Sequence, residues 1–101
     1  MTRRIALAAA LACAPLAAPA QDSPAGRGLA ATCASCHGTE GRSVSTEVAP
    51  LAGLPKDFLV STMKAFQDGR RPATVMHQIA KGYTDQQLEL IAEYFAARRP
   101  K

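Results

Sequence analysis

Apolar positions recur at three- and four-residue spacing in several stretches of this chain, and strict alternation occurs in none. Ala25, Leu29, Ala30 and Cys33 follow that spacing and predict a first helix from about Pro24 to Ala34. Gly38, Gly41 and the run from Ser43 to Pro50 then read as a loop. A second helix begins near Pro55, whose fixed φ suits a first helical turn. Its apolar face is Phe58, Leu59, Met63 and Phe66, which makes Met63 a core methionine, and Gly69 ends it. Arg70-Arg71-Pro72 forces an irregular segment through Met76, and Ile79 and Ala80 fit one short helical turn closed by Gly82. The last helix is the clearest. Thr84-Asp85-Gln86-Gln87 is a capping-box start, followed by Leu88, Ile91, Ala92, Phe95 and Ala96 at helical spacing. The pattern predicts an all-α domain without internal repeats, its first and last helices packed together.

The N-terminal stretch follows a different logic. Arg3 and Arg4 precede an apolar run from Ile5 to Ala12, then small residues end in Ala18-Pro19-Ala20 before the polar Gln21-Asp22-Ser23. That order predicts a secretory signal peptide over residues 1–20, its apolar run too short to span a bilayer. The expected setting is the periplasm, with residues 21–101 as one domain and no stable membrane insertion. A second reading makes Cys13 a lipidated first residue, although Ala10 stands where a lipoprotein signal usually has Leu.

The whole chain of 101 residues has 12 Lys and Arg against 8 Asp and Glu. Removing residues 1–20 takes away Arg3 and Arg4 and leaves a near-neutral domain. Its basic residues are scattered, without interleaved aromatics, which argues against nucleic-acid binding. Eighty-one residues with five aromatics and no Trp make a marginal apolar core, so a staple is expected.

The cysteines supply it. Cys33-Ala34-Ser35-Cys36-His37 is the C-x-x-C-H pattern of covalent haem attachment. Each thiol adds to one vinyl group, so both sulfurs must reach one porphyrin; at i and i+3 of a helical turn they lie on one face. His37 at i+4 lies on the same side and can rise under the iron. A thioredoxin-like dithiol needs a strand before the motif, but Arg27 to Thr32 reads as helix. A structural zinc site lacks ligands, with only His77 beyond the motif. A Cys33–Cys36 disulfide would close a tiny loop and stabilise little.

An electron carrier fills both axial positions of its iron. Three residues could lie opposite His37. Met63 belongs to the second helix. Met76 sits on a loop from which a thioether can swing across the haem, and His77 is its neighbour. Loop placement and the familiar pairing of Met with His favour Met76, which would raise the reduction potential above that of a bis-histidine site. Pro50 is expected to supply the carbonyl that orients His37, and Arg70 or Arg71 to meet a haem propionate.

The chain from residue 21 onward resembles the small class I bacterial cytochromes c, and within them the cytochrome subunit of flavocytochrome c sulfide dehydrogenase. The resembling segments are Cys33 to Gly41, Pro50-Leu51-Ala52-Gly53, Ala65 to Pro72, and Thr74-Val75-Met76 through Ile79-Ala80-Lys81-Gly82-Tyr83. Leu54 departs from the Gln common after Leu-Ala-Gly. The resemblance implies an all-α class I cytochrome c fold of three to four helices wrapped around one covalently bound haem c. It implies His37 and Met76 as axial ligands, with Cys33 and Cys36 holding the ring. It also implies a flavoprotein partner carrying FAD, which oxidises sulfide while the cytochrome takes electrons singly. A freestanding carrier serving other redox proteins would use the same haem. An open-site haem enzyme or gas sensor is a third reading, against which Met76 argues by filling the sixth position, and a haem-free dithiol protein is a fourth.

Overall fold

The computed structural model describes residues 23–100 and, apart from them, Ala14. The predicted signal segment and Cys13 lie outside the described residues. Ser23 opens α1 (Pro24–Ala30): its hydroxyl accepts from the Gly26 N–H at 2.9 Å, and Pro24 takes a first-turn position where no N–H is needed. The chain then tightens into a 3₁₀ turn, Ala31–Cys33, and resumes as α2 (Ala34–His37). The expected first helix therefore runs three residues further than its apolar period suggested, with the cysteine motif as its final turns.

Helix α3 (Lys56–Gln67) follows Pro55 as expected, and the Asp68-Gly69 turn closes it. The short helical turn expected at Ile79 and Ala80 is a five-residue helix, α4 (Met76–Ala80), which takes in Met76 and so ends the irregular segment one residue earlier than expected. Val75 provides the acceptor that starts it, receiving the Gln78 and Ile79 N–H groups at 3.0 and 3.1 Å. Helix α5 (Asp85–Ala96) carries the full capping box. Thr84 accepts from the Gln87 N–H at 3.1 Å, and the Gln87 side chain accepts the Thr84 N–H at 2.9 Å. No strand occurs among the described residues.

The core is small because α5 alone supplies half of it. Leu88, Ile91, Ala92 and Phe95 are buried along its stripe, against Ala30, Ala52, Leu59 and Ala80. Helices α1 and α5 cross as the sequence predicts, and very closely: a Cβ on Gly26 would sit 2.7 Å from the Leu90 carbonyl oxygen. Cations on α3 bridge to α5 and its N-terminal turn. Lys56 reaches Glu89 and Glu93 at 2.9 and 3.2 Å, and Lys64 reaches Asp85 at 2.7 Å. These pairs are exposed to solvent, which screens them, so they contribute little to stability.

One expectation about the core fails. Met63 shares its period with Leu59, yet only Leu59 of α3 is buried, and Met63 is half-buried outside the core cluster. Apolar period identifies a face without saying what that face meets. Phe58 is 47% exposed, so much of the apolar surface of α3 has no protein neighbour.

Candidate functional site

Cys33 closes the 3₁₀ turn, and Cys36 and His37 belong to α2, so the motif is one continuous helical segment. Both thiols are free rather than paired as a disulfide; Cys33 is half-buried and Cys36 exposed. Burial pushes the Cys33 thiol above its ordinary range, a hydrogen bond from Thr32 partly offsetting this and neighbouring Cys36 adding to it. Thr32 is also fixed from outside the segment, its hydroxyl 3.0 Å from the Tyr83 hydroxyl. The motif is thereby tied to the chain just before α5.

His37 is oriented by a single strong contact. Its Nδ1 lies 2.6 Å from the Ala49 carbonyl oxygen. A carbonyl only accepts, so Nδ1 carries the proton and Nε2 keeps its lone pair for a metal. The acceptor expected from sequence was Pro50. The loop's register places the preceding carbonyl there instead. That register is set by Gly41, whose carbonyl accepts from Leu51 and Ala52 N–H groups at 2.8 and 3.2 Å. Gly41 has φ +76° and is buried, and a Cβ there would lie 2.8 Å from Phe95 Cδ1 and 2.9 Å from the Ala52 nitrogen. Glycine at this position lets the turn after His37 press against the core.

Met76 is half-buried as the first residue of α4, not on a loop, and His77 follows it in the same helical turn. Successive helical residues point about 100° apart, so the two side chains do not share a face. Nδ1 of His77 is buried without a hydrogen-bond partner among the described residues. The arginines expected at a propionate have partners within the chain. Arg70 bonds Asp68 at 2.7 Å, and the Arg71 guanidinium lies 5.5 Å from the centre of the Phe66 ring. The Arg70 guanidinium holds the exposed Asp68 carboxyl below its ordinary range.

Two further features carried no sequence signature. Gln67, the last residue of α3, donates its side-chain amide to the carbonyls of Ala80 and Tyr83 at 2.8 and 3.1 Å. A cavity of about 510 Å³ opens beside Cys36, lined by Ala34, Gly38, Thr39 and Arg42 among others. It touches neither Cys33, His37 nor Met76, so it is not the space between the expected axial ligands.

The residues present suit a covalently held haem. Two unpaired thiols and a tautomer-fixed imidazole occupy one short segment. Phe58, Val75 and Ile79 expose 44 to 55% of their surface around α3 and α4, in a domain whose buried core is only eight residues. A large apolar group answers both observations.

A helical shell around an unpaired Cys-x-x-Cys-His turn defines a haem-binding electron-transfer domain. The Cytochrome c family model matches residues 23–97, and the chain belongs to that family. Its cofactor is haem c, and the family is one of electron carriers. Over 66% of its length it is 42% identical to the cytochrome subunit of sulfide dehydrogenase from Chlorobaculum tepidum, covering 60% of that protein. Cytochrome c4 of Pseudomonas aeruginosa is 37% identical over 83% of this chain and 42% of its own. Cytochrome c-554(548) of Halomonas halodenitrificans is 34% identical over 78% of this chain and is covered over 99% of its own length. Among solved structures, thiosulfate dehydrogenase (TsdBA) from Marichromatium purpuratum matches with a TM-score of 0.71 at 30% identity, over 83% of this chain and 21% of that one. No helix among the described residues is long and apolar enough to cross a membrane.

Proposed function

We propose that Cys33 and Cys36 hold the haem through thioethers, that His37 and Met76 are its axial ligands, and that the domain works in the periplasm. Residues 1–20 would direct export, and residues 21–101 would form the working domain. We propose further that its electrons come from an FAD-containing flavoprotein subunit that oxidises sulfide. The observation that carries the haem assignment is the 2.6 Å contact from His37 Nδ1 to the Ala49 carbonyl. It commits one ring nitrogen to the protein and leaves the other basic and aimed elsewhere, as a metal-ligating histidine requires. The sulfur donor is supported by the sulfide dehydrogenase relative and by relatives named as thiosulfate dehydrogenase electron acceptors.

The haem supplies one-electron chemistry. The chain's own residues determine how readily that chemistry runs. His37 is held in one tautomer and one orientation by Ala49, so its ring need not reorient between oxidation states. Filling the sixth position with Met76 would exclude small molecules and favour the reduced form relative to a second histidine. The apolar side chains of Phe58, Val75 and Ile79 would keep water from the ring.

Mass spectrometry of protein made in a host competent for haem attachment tests the first part. The peptide containing Cys33 and Cys36 should carry one haem. An unmodified peptide there overturns the assignment. Ready binding of carbon monoxide by the reduced protein would overturn Met76 as ligand. Co-purification with a flavin-bearing partner tests the donor. A protein that runs alone and accepts no electrons from such a partner is instead a freestanding carrier.

A further inference from the structure

Helix α4 is too short to be stable on its own. Five residues are well below the length at which propagation outweighs nucleation. The residue that caps its N-terminus, Val75, makes no side-chain capping bond. Something outside must therefore hold it, and one residue does so at the end away from Met76. Gln67 terminates α3 and lays its amide across the end of α4, bonding the Ala80 carbonyl at 2.8 Å and the Tyr83 carbonyl at 3.1 Å. Both acceptors are carbonyls, so the amide's two N–H groups must face them. The Ala80 carbonyl lies at the C-terminal end of the helix, where it accepts the Tyr83 N–H at 3.3 Å as well as the shorter bond from Gln67. Ala80 itself is fully buried, so water cannot easily replace the amide.

The same two bonds join three functional pieces. Gln67 fixes α3 to α4, whose first residue is Met76. It also fixes Tyr83, whose hydroxyl contacts Thr32, the residue before Cys33. We propose that Gln67 is the positioning residue that holds Met76 at the iron, acting as a clamp on the far end of α4. This rests on Met76 being the axial ligand. With the clamp in place α4 has one position; without it α4 moves about its Val75 end and the thioether leaves more often.

Exogenous imidazole binds the ferric iron only when methionine is off, so its apparent affinity measures the fraction of protein in that state. In the haem-loaded protein, Gln67→Met keeps the side chain's length but removes both donors, and Gln67→Glu keeps its shape but offers only acceptors. Each should tighten imidazole binding about tenfold, and the weak thioether-to-iron(III) absorption should fade at a lower temperature while helix content still holds. Imidazole affinity within twofold of the parent for both variants overturns the proposal. So does loss of the band only in step with helix content, which would make Gln67 a general fold residue. Met76→Ala separates this from the parent reading: if it leaves the band intact, Met76 is not the ligand and both fall. If it abolishes the band while both Gln67 variants behave as the parent, only the clamp falls.

Discussion

Replacing Gly41 by alanine should destabilise the protein far more than the same change at Gly69, although both glycines have nearly equal positive φ, +76° and +79°. The left-handed backbone costs alanine about 1–2 kcal/mol at either site. Stiffening the unfolded chain returns about 0.4–1 kcal/mol at both. At Gly69 the new Cβ has nothing within 4 Å, so the net loss should be about 0–1.6 kcal/mol. At Gly41 the Cβ would lie 2.8 Å from Phe95 Cδ1, 2.9 Å from the Ala52 nitrogen and 3.0 Å from Leu51 Cβ. Phe95 is a core residue and Ala52 N is backbone, so neither yields freely, and overpacking adds about 1–3 kcal/mol. The expected total at Gly41 is about 1–4.6 kcal/mol, each kcal/mol lowering the melting temperature by roughly 4–8 °C for a domain of this size. Urea unfolding of the two haem-loaded variants, followed by far-UV circular dichroism, measures the difference. The slope m should stay constant while the midpoint shifts. Equal losses at the two sites would refute the packing argument and leave only backbone strain.

Thr84→Ala removes one arm of the α5 capping box and should cost about 0.5–2 kcal/mol in urea unfolding, an N-terminal cap's usual contribution. Leu88→Ala, at a side chain only 1% exposed, should cost about 2–5 kcal/mol; a loss below 1 kcal/mol would mean the site collapses on itself. In haem-free protein, burial raises the Cys33 thiol above its unfolded value near 9.0, so the folded form binds more protons there. Stability should be full below that pH and fall as pH rises through the folded value. Alkylating the thiol should remove the dependence, and a slope that persists after alkylation would assign it to another group.

The helices were legible because their signals are local. Thr84 and Gln87 lie three residues apart and cap α5 as read, and Pro55 and Gly69 bracket α3 to within two residues. The haem motif was legible for the same reason, all of its chemistry lying within five residues. What sequence could not give was register across loops. Ala49 rather than Pro50 meets His37 because Gly41 fixes where the returning chain lies, and neighbouring carbonyls look alike in sequence. Met63 shows a second limit. Its helical period marks an apolar face, but a face that meets a cofactor has the same period as one that meets protein. Gln67 shows a third: a single polar residue before a turn has no pattern that reveals a tertiary bond thirteen residues on.

The crossing of α1 and α5 bears on the order in which this protein can be made. Gly26 and Leu90 touch across roughly sixty positions of chain, so their meeting carries a loop-closure cost of about 4 kcal/mol before any packing is gained. The thiols and imidazole of residues 33–37 need no such closure, since they belong to consecutive turns. A nascent chain can therefore present its attachment segment to the machinery that joins haem while its ends are still apart. A substitution that blocks the crossing, such as Gly26→Ala, should yield chains that carry haem yet fold slowly. The covalent step and the folding step are separable by mutation because one is short-range and the other spans the domain.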